Sequence, residues 1–341
     1  MDPILMKILA AAVLGFAVSA LLGKWLVPAL RRLKAGQSIK EDGPTWHMSK
    51  QGTPTMGGLM FIAAVVVVVL VLNGPAILGG DLTSVFVLLL ALVFGLIGFL
   101  DDYAKIRKKE NTGLTASQKF LLQLAAAILF IVVLRWAGVL SPNLYVPFFG
   151  AEWKLPWVVY MIFAALVITG SVNAVNITDG LDGLAGTVTL PVCAFFTAAF
   201  AYAAIHWDRP GSTAMTVFAA ALFGGIVGFL VYNFYPAKVF MGDTGSLFLG
   251  GAVCGMAFAL DLPLILIPVG IIYIIETLSD IIQILYFKAT HGKRIFRMAP
   301  LHHHLEMGGW SEKKIVFVFS GISLVFCILA YFGAIGRFPV L

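Results

Sequence analysis

Long apolar runs alternate with short polar connections along the whole chain. Residues 59–72, 85–100, 125–134, 184–204 and 315–332 contain no charged side chain. Crossing about 30 Å of hydrocarbon takes about 20 helical residues. The pattern predicts helices near residues 4–30, 53–73, 82–103, 117–137, 157–176, 184–205, 214–232, 245–260, 262–288 and 314–335. The expected fold is all-α: a polytopic membrane protein with about ten transmembrane helices in a single domain over residues 1–341. The seventh and eighth segments are short, the ninth is long, and Pro268 inside the ninth predicts a kink. The first run is longer than a signal-peptide core and lacks a small-residue cleavage pattern, so it is read as mature structure. Alternating apolar residues around a Gly–Ala pair in 144–157 suit a short surface hairpin. The chain shows no internal repeat of the kind that would suggest an inverted-repeat transporter.

Composition supports the same solvent. Of 341 residues, 60% are hydrophobic and 12% charged, against about 25% charged in soluble domains. Most of the 23 Lys and Arg residues fall in alternate connections, near 31–52, 104–116, 177–183, 233–244 and 289–313. They include Arg31, Arg32, Lys34, Lys40 and Lys50, then Lys105, Arg107, Lys108, Lys109 and Lys119. Lys238 follows, and Lys288, Lys293, Arg294, Arg297, Lys313 and Lys314 complete the set. Basic loops stay in the cytoplasm, which puts both termini outside. The net charge of +6 therefore requires no nucleic-acid partner, and it helps attract an anionic substrate. Cys193, Cys254 and Cys327 lie far apart in apolar stretches and read as small core residues.

The inward ends hold the residues capable of chemistry. Asp101 and Asp102 close the third segment. Such a pair anchors a helix in the headgroup layer, or it holds a divalent cation that offsets two neighbouring charges. Adjacent helical residues point about 100° apart, so the two need not share one ligand. Asn173, Asn176, Asp179 and Asp182 are spaced by three, which favours one face of a helical segment, with Gly180 and Gly183 permitting a tight turn. Asp243 sits in the run Gly-Asp-Thr-Gly-Ser, suited to a rigid turn into a helix N-terminus, and Asn233 lies at the other end of that connection. His302, His303 and His304 precede Glu306 in a loop with Lys293, Arg294 and Arg297, which reads as anion-facing. Glu276, Asp280 and Gln283 make one polar stripe on the ninth segment, where acids must turn away from lipid.

Several carboxylates beside basic residues suit Mg²⁺, which binds through one or two carboxylates together with substrate phosphates. Phosphoryl transfer to or from a lipid would use the membrane, the acids and the bases together. Two rivals differ in class. An intramembrane aspartyl protease would use Asp243 with Asp101 or Asp102, but it leaves the histidines, lysines and asparagines without a task. A proton-coupled transporter needs a polar path across the membrane, and the polar residues gather on one side.

The segments GTPTMGG at 52–58, DDYAK at 101–105, NAVNITDGLDGLAG at 173–186, FMGDTGS at 240–246 and PLHHHLEMGG at 300–309 resemble one family over essentially the whole chain. It is the phospho-N-acetylmuramoyl-pentapeptide transferase family of the polyprenyl-phosphate N-acetylhexosamine-1-phosphate transferase superfamily. The family mostly has Phe after the triple His, where this chain has Leu305. The resemblance implies transfer of phospho-MurNAc-pentapeptide from UDP-MurNAc-pentapeptide to undecaprenyl phosphate, giving UMP and lipid I for peptidoglycan synthesis. It implies Asp101, Asp102 and Asp243 as the catalytic acids, with Asp243 the direct Mg²⁺ ligand. Lys105 and Lys119 would serve the phosphate or nucleotide region, and Asn173, Asn176, Asp179, Asp182 and Asn233 would line the substrate cleft. Lys50 and Thr55 match another functional segment; His302, His303 and His304, joined by Gln283, would support pyrophosphate or sugar-peptide binding. The resemblance further implies a homodimer in the bacterial inner membrane with its active site facing the cytoplasm.

Overall fold

The computed structural model describes residues 2–33, 50–108, 112–207 and 209–337. Lys34, Lys40, Lys109 and most of the expected 31–52 loop lie outside them. The apolar runs form α1 (Pro3–Arg32), α2 (Leu59–Leu72), the short α3 (Gly74–Leu78), α4 (Thr83–Lys108) and α5 (Ala116–Trp136). A hairpin of β1 (Asn143–Val146) and β2 (Ala151–Lys154) follows, then α6 (Trp157–Thr178), α7 (Leu184–Trp207), α8 (Ser212–Asn233) and α9 (Gly242–Ala259). After a 3₁₀ turn at Pro263–Ile265 come α10 (Leu266–Val269), α11 (Ile271–Ala289), α12 (Leu301–Glu306) and α13 (Glu312–Ile335). Among the described residues, seven helices are long and apolar enough to cross a membrane, or eight if one bent pair counts as a span. The chain is a polytopic helical membrane protein. Among the described residues, α2 is a shorter apolar helix of 14 residues, and α9 has 18.

Local signals set the helix ends. Thr115 and Gln118 form a reciprocal capping box that starts α5, and Ser311 accepts the Lys314 N–H to start α13. The hairpin pairs antiparallel with Leu144 opposite Trp153.

The core sits around α9, whose residues from Thr244 to Ala259 are all buried. It packs against α4 and α6, while α8 packs between α1 and α7. Helices in lipid gain little from burying apolar side chains against one another, so close backbone approach through small residues carries the packing. At Gly98 of α4 a Cβ would fall 2.0 Å from the Asp243 carbonyl oxygen. Trp25, Leu121, Leu129 and Phe317 are exposed on the outer helices, as lipid-facing side chains are. At the far end of α9, Arg337 and Ser141 donate to Asp261 Oδ2 at 2.7 and 2.9 Å, tying the end of α13 to the hairpin base.

Three expectations change. Residues 53–58 are not helical: Pro54, Gly57 and Gly58 send their backbone bonds to the 240–241 segment instead. Phe240 donates to the Pro54 carbonyl at 2.8 Å, and Gly57 donates to the Phe240 carbonyl at 2.8 Å. The ninth segment is not one kinked helix but two pieces, Pro263–Val269 and Ile271–Ala289, bent by 81°. Gly270, at φ −96° and ψ 16°, leaves the helical region between them. The four residues spaced by three do not share a helix face, because α6 ends at Thr178 and Gly183 turns the chain at φ +78°.

Candidate active site

Asp101 and Asp102 end up on one wall of a polar centre, on the last turns of α4, and Asp243 opens α9 opposite them. One ligand oxygen from each lies within 4.8 Å of the others. Their divergent directions give them different partners. Asp101 Oδ1 accepts the Leu114 N–H at 2.8 Å, and its Oδ2 meets Lys105 Nζ at 2.6 Å. Asp102 caps α9 from a neighbouring helix. Its Oδ1 accepts the Asp243 N–H at 3.2 Å, and its Oδ2 accepts the Thr244 N–H and hydroxyl at 2.9 and 2.7 Å. A carboxylate there answers both the unpaired N–H groups and the positive end of the helix dipole.

Asp243 collects the cations. Lys119 and Lys105 donate to its Oδ2 at 2.7 and 3.1 Å, and Asn176 donates to its Oδ1 at 2.8 Å. Burial alone would raise this carboxyl, but Lys119, the hydrogen bond with Asp101, and Lys105 outweigh it and hold the group well below the ordinary carboxylate range. Gly242, at φ +69°, brings Thr55 alongside: a Cβ there would lie 2.5 Å from both Asp102 Oδ2 and Thr55 Oγ1. Asp101, Asp102, Asp243, Lys105, Lys119, Asn176 and Thr55 thus occupy one place.

The remaining candidates surround this centre in other roles. Asn173 donates to Gln123 Oε1 at 2.6 Å, bracing α6 against α5. Lys50 does not join the acid centre; it bridges Asp182 at 2.8 Å and Glu312 at 2.6 Å. Asp182 also accepts the Ala237 N–H at 2.8 Å, so it ties three connections together. Asn233 accepts from Gly183 N–H at 3.1 Å and donates to the Val239 carbonyl at 2.9 Å, which makes it a buried staple. Gln283 accepts the Ile295 and Phe296 N–H groups at 3.1 and 3.0 Å and shapes the basic loop. Asp179 has no side-chain hydrogen bond among the described residues. Burial, followed by the charges of Asp243, Asp102 and Asp182, pushes its carboxyl well above the ordinary range.

The His triplet lies on α12. His302 is fully buried, whereas His303 and His304 are half-buried. His303 Nδ1 pairs with Glu306 Oε2 at 2.8 Å, and His304 Nδ1 accepts the Arg297 N–H at 3.1 Å. Gln123 and Glu312 were not among the sequence candidates, and Thr244 and Ser246 were read only as part of the turn that opens α9. Gln123 lies one helical turn beyond Lys119, and that spacing was its one available signal.

Converging acids and ammonium groups within a polytopic helical body suit the chemistry of a membrane transferase of the phospho-sugar kind. Residues 84–261 match the model described as glycosyl transferase family 4, and residues 50–62 match the phospho-N-acetylmuramoyl-pentapeptide-transferase signature 1. Proteins of that name from Heliobacterium modesticaldum and Clostridium acetobutylicum are 48% and 44% identical to this chain. The matches cover 98% and 96% of the chain and 99% of each relative. One from Geobacillus kaustophilus is 45% identical over 95% of the chain and 97% of its own length. The chain belongs to the phospho-N-acetylmuramoyl-pentapeptide-transferase family: it is a transferase of peptidoglycan synthesis and a multi-pass bacterial membrane protein.

Proposed function

We propose that the protein transfers phospho-MurNAc-pentapeptide from UDP-MurNAc-pentapeptide to undecaprenyl phosphate, giving lipid I and UMP. The observation that carries this reading is the convergence of Asp101, Asp102 and Asp243 within 4.8 Å, with Lys105 on Asp101 and Asp243 and Lys119 on Asp243. Such a centre can hold a dense phosphate charge beside a cation.

The donor set fits Mg²⁺. Its carboxylate oxygens are hard ligands that lie within 4.8 Å of one another; opposite ligands of an octahedral ion with about 2.1 Å bonds stand roughly 4.2 Å apart, so the acids would draw together around the ion. Asp243 would be the direct ligand, with Asp101 and Asp102 beside it. Bound Mg²⁺ would neutralise charge on the diphosphate and the departing UMP. Lys105 and Lys119, released from Asp243, bind phosphate oxygens. Asp102 keeps α9 at the height that presents Asp243, and Asn176 holds the Asp243 carboxylate in orientation. His303, His304 and the basic loop supply donors to the pyrophosphate or sugar-peptide, while Asp179, Asn173 and the Lys50–Asp182 pair line the nucleotide side.

A lipid phosphate oxygen attacks the β-phosphorus of the UDP-sugar. The new P–O bond forms as the bond to the α-phosphate oxygen breaks, and UMP leaves with that oxygen. The attacking phosphate is already substantially ionised near neutral pH, so direct displacement needs no separate base. Rapid-quench analysis with labelled UDP-sugar and no lipid acceptor distinguishes this from a covalent route. A stoichiometric phospho-sugar adduct on the protein, discharged to product by adding lipid, would contradict direct attack.

In this reading α2 and α9 cross the membrane with the other long segments, making ten spans in one domain. Both termini face outward, and the active site opens to the cytoplasm of the inner membrane, where UDP-sugars are available. A homodimer follows from the family likeness. The functional test supplies both substrates and Mg²⁺ to the detergent-solubilised protein. Lipid I and UMP are expected in equal amounts; folded protein that makes neither overturns the proposal.

A further inference from the structure

Glu276 on α11 and His302 on α12 are both fully buried, and neither belongs to the acid–lysine cluster. Glu276 Oε2 accepts the His302 backbone N–H at 3.4 Å and lies 2.9 Å from His302 Nδ1. An oxygen that already accepts a main-chain N–H is suited to accept a second, an arrangement that favours a proton on the ring nitrogen facing it. The other ring nitrogen, Nε2, has no hydrogen-bond partner among the described residues. It abuts Gly180, where a Cβ would fall 2.2 Å from Nε2 and 2.6 Å from Cε1. The His302 ring also packs on His303, with centroids 4.2 Å apart.

This imidazole therefore touches two functional pieces at once. Gly180 directly follows Asp179 in the loop that also carries Asp182, and His303 is the next residue on α12, half-buried and paired with Glu306. A histidine's orientation is set by the bond its far nitrogen makes. We propose that Glu276 is a positioning residue: by fixing the Nδ1–H form and rotation of His302, it makes that ring a buried strut. The strut seats Gly180, and with it Asp179, while backing the plane of His303. Of the three histidines, His303 and His304 are then the substrate contacts, and His302 acts through its neighbours. Glycine at 180 is required because the ring occupies the space of its missing Cβ.

The kinetic readout rests on the transferase reading, whereas a tautomer readout does not. The experiment combines both on the full-length detergent-solubilised protein. Histidine-¹⁵N-labelled protein is examined by long-range N–H correlation, with the His302 signal assigned by its loss in His302→Asn. Nδ1 is expected to be protonated in the wild type and in Glu276→Gln, which keeps an acceptor, and to lose that fixed state in Glu276→Met. In parallel, Glu276→Met raises KM for the UDP-sugar roughly tenfold with a smaller change in kcat. Gly180→Ala reproduces the rise, and Glu276→Gln recovers most of the loss. Wild-type His302 protonated on Nε2 alone overturns the proposal. So does a Glu276→Met protein that keeps both the Nδ1 proton and the wild-type KM. If Glu276→Met does not fold, the tautomer in wild type and in Glu276→Gln decides. An inactive wild type whose His302 nonetheless carries the Nδ1 proton and loses it in Glu276→Met supports this assignment and sinks the transferase reading.

Discussion

The Asp179 carboxylate carries a charge that opposes stability. Its carboxyl has no hydrogen-bond partner among the described residues, and burial with three neighbouring carboxylates raises its pKa well above the ordinary value. The folded state then binds a proton that the unfolded state has released, so this residue's contribution to stability falls as pH rises through that window. Above the raised pKa the full penalty is present. Asp179→Asn removes the charge and is expected to raise the melting temperature in detergent by roughly 3 °C near neutral pH. The gain should shrink as the pH is lowered towards the ordinary carboxylate range, and transferase activity should fall at least about tenfold. A melting temperature unchanged at every pH would refute the electrostatic account. Asp243 was legible in the sequence because a Gly-Asp-Thr-Gly-Ser run can do little else than turn into a helix start. Lys50, Asp182 and Asn233 were legible as polar residues of the connections between helices, but not in their partners. Their partners, Glu312 and the backbone of residues 183, 237 and 239, come from connections distant in sequence.

Helix apposition is the device that brings the acids within reach of one another. Gly98 lets α4 approach so closely that a Cβ would overlap the Asp243 carbonyl. Gly98→Ala must push α9 away, costing about 1–3 kcal/mol by overpacking and displacing Asp243 from Lys105 and Lys119. Activity is expected to fall at least about tenfold. Gly321→Ala, where nothing lies within 4 Å of the added carbon, is the control and should match wild type in both melting and activity. Equal behaviour of the two variants would contradict the close-packing argument. Apolar length revealed the long helices, since a run of that kind has only lipid or core to enter. It did not reveal that residues 53–58 are extended, because Pro54, Gly57 and Gly58 pair with the 240–241 segment across the fold. Pro268 marked the ninth segment as bent, but the 81° break lies at Gly270, a glycine that hydropathy alone passes over.

At the scale of the whole molecule, charge asymmetry and site location make a single claim. Cys193, Cys254 and Cys327 are all buried, so a membrane-impermeant maleimide should report only on introduced thiols. In intact cells Asp2→Cys should react and Lys238→Cys should not, the latter reacting only after the membrane is opened; the reverse pattern would invert the topology. The overall architecture was legible because a lipid solvent imposes one backbone solution on every apolar run. Which loops touch was not, since that depends on packing between segments more than a hundred residues apart, as for Lys105 and Asp243. The central claim is that Asp243, with Asp101 and Asp102 beside it, holds Mg²⁺ for phospho-sugar transfer to a lipid. Its most direct test measures lipid I formation from UDP-MurNAc-pentapeptide and undecaprenyl phosphate after chelation and after Mg²⁺ is restored, in wild type, Asp243→Ala and His304→Ala. Chelation should abolish product and Mg²⁺ restore it in the wild type. Asp243→Ala should remain at least about a thousandfold down, lower than His304→Ala. Product formed normally by Asp243→Ala, or by chelated wild type, would contradict the account.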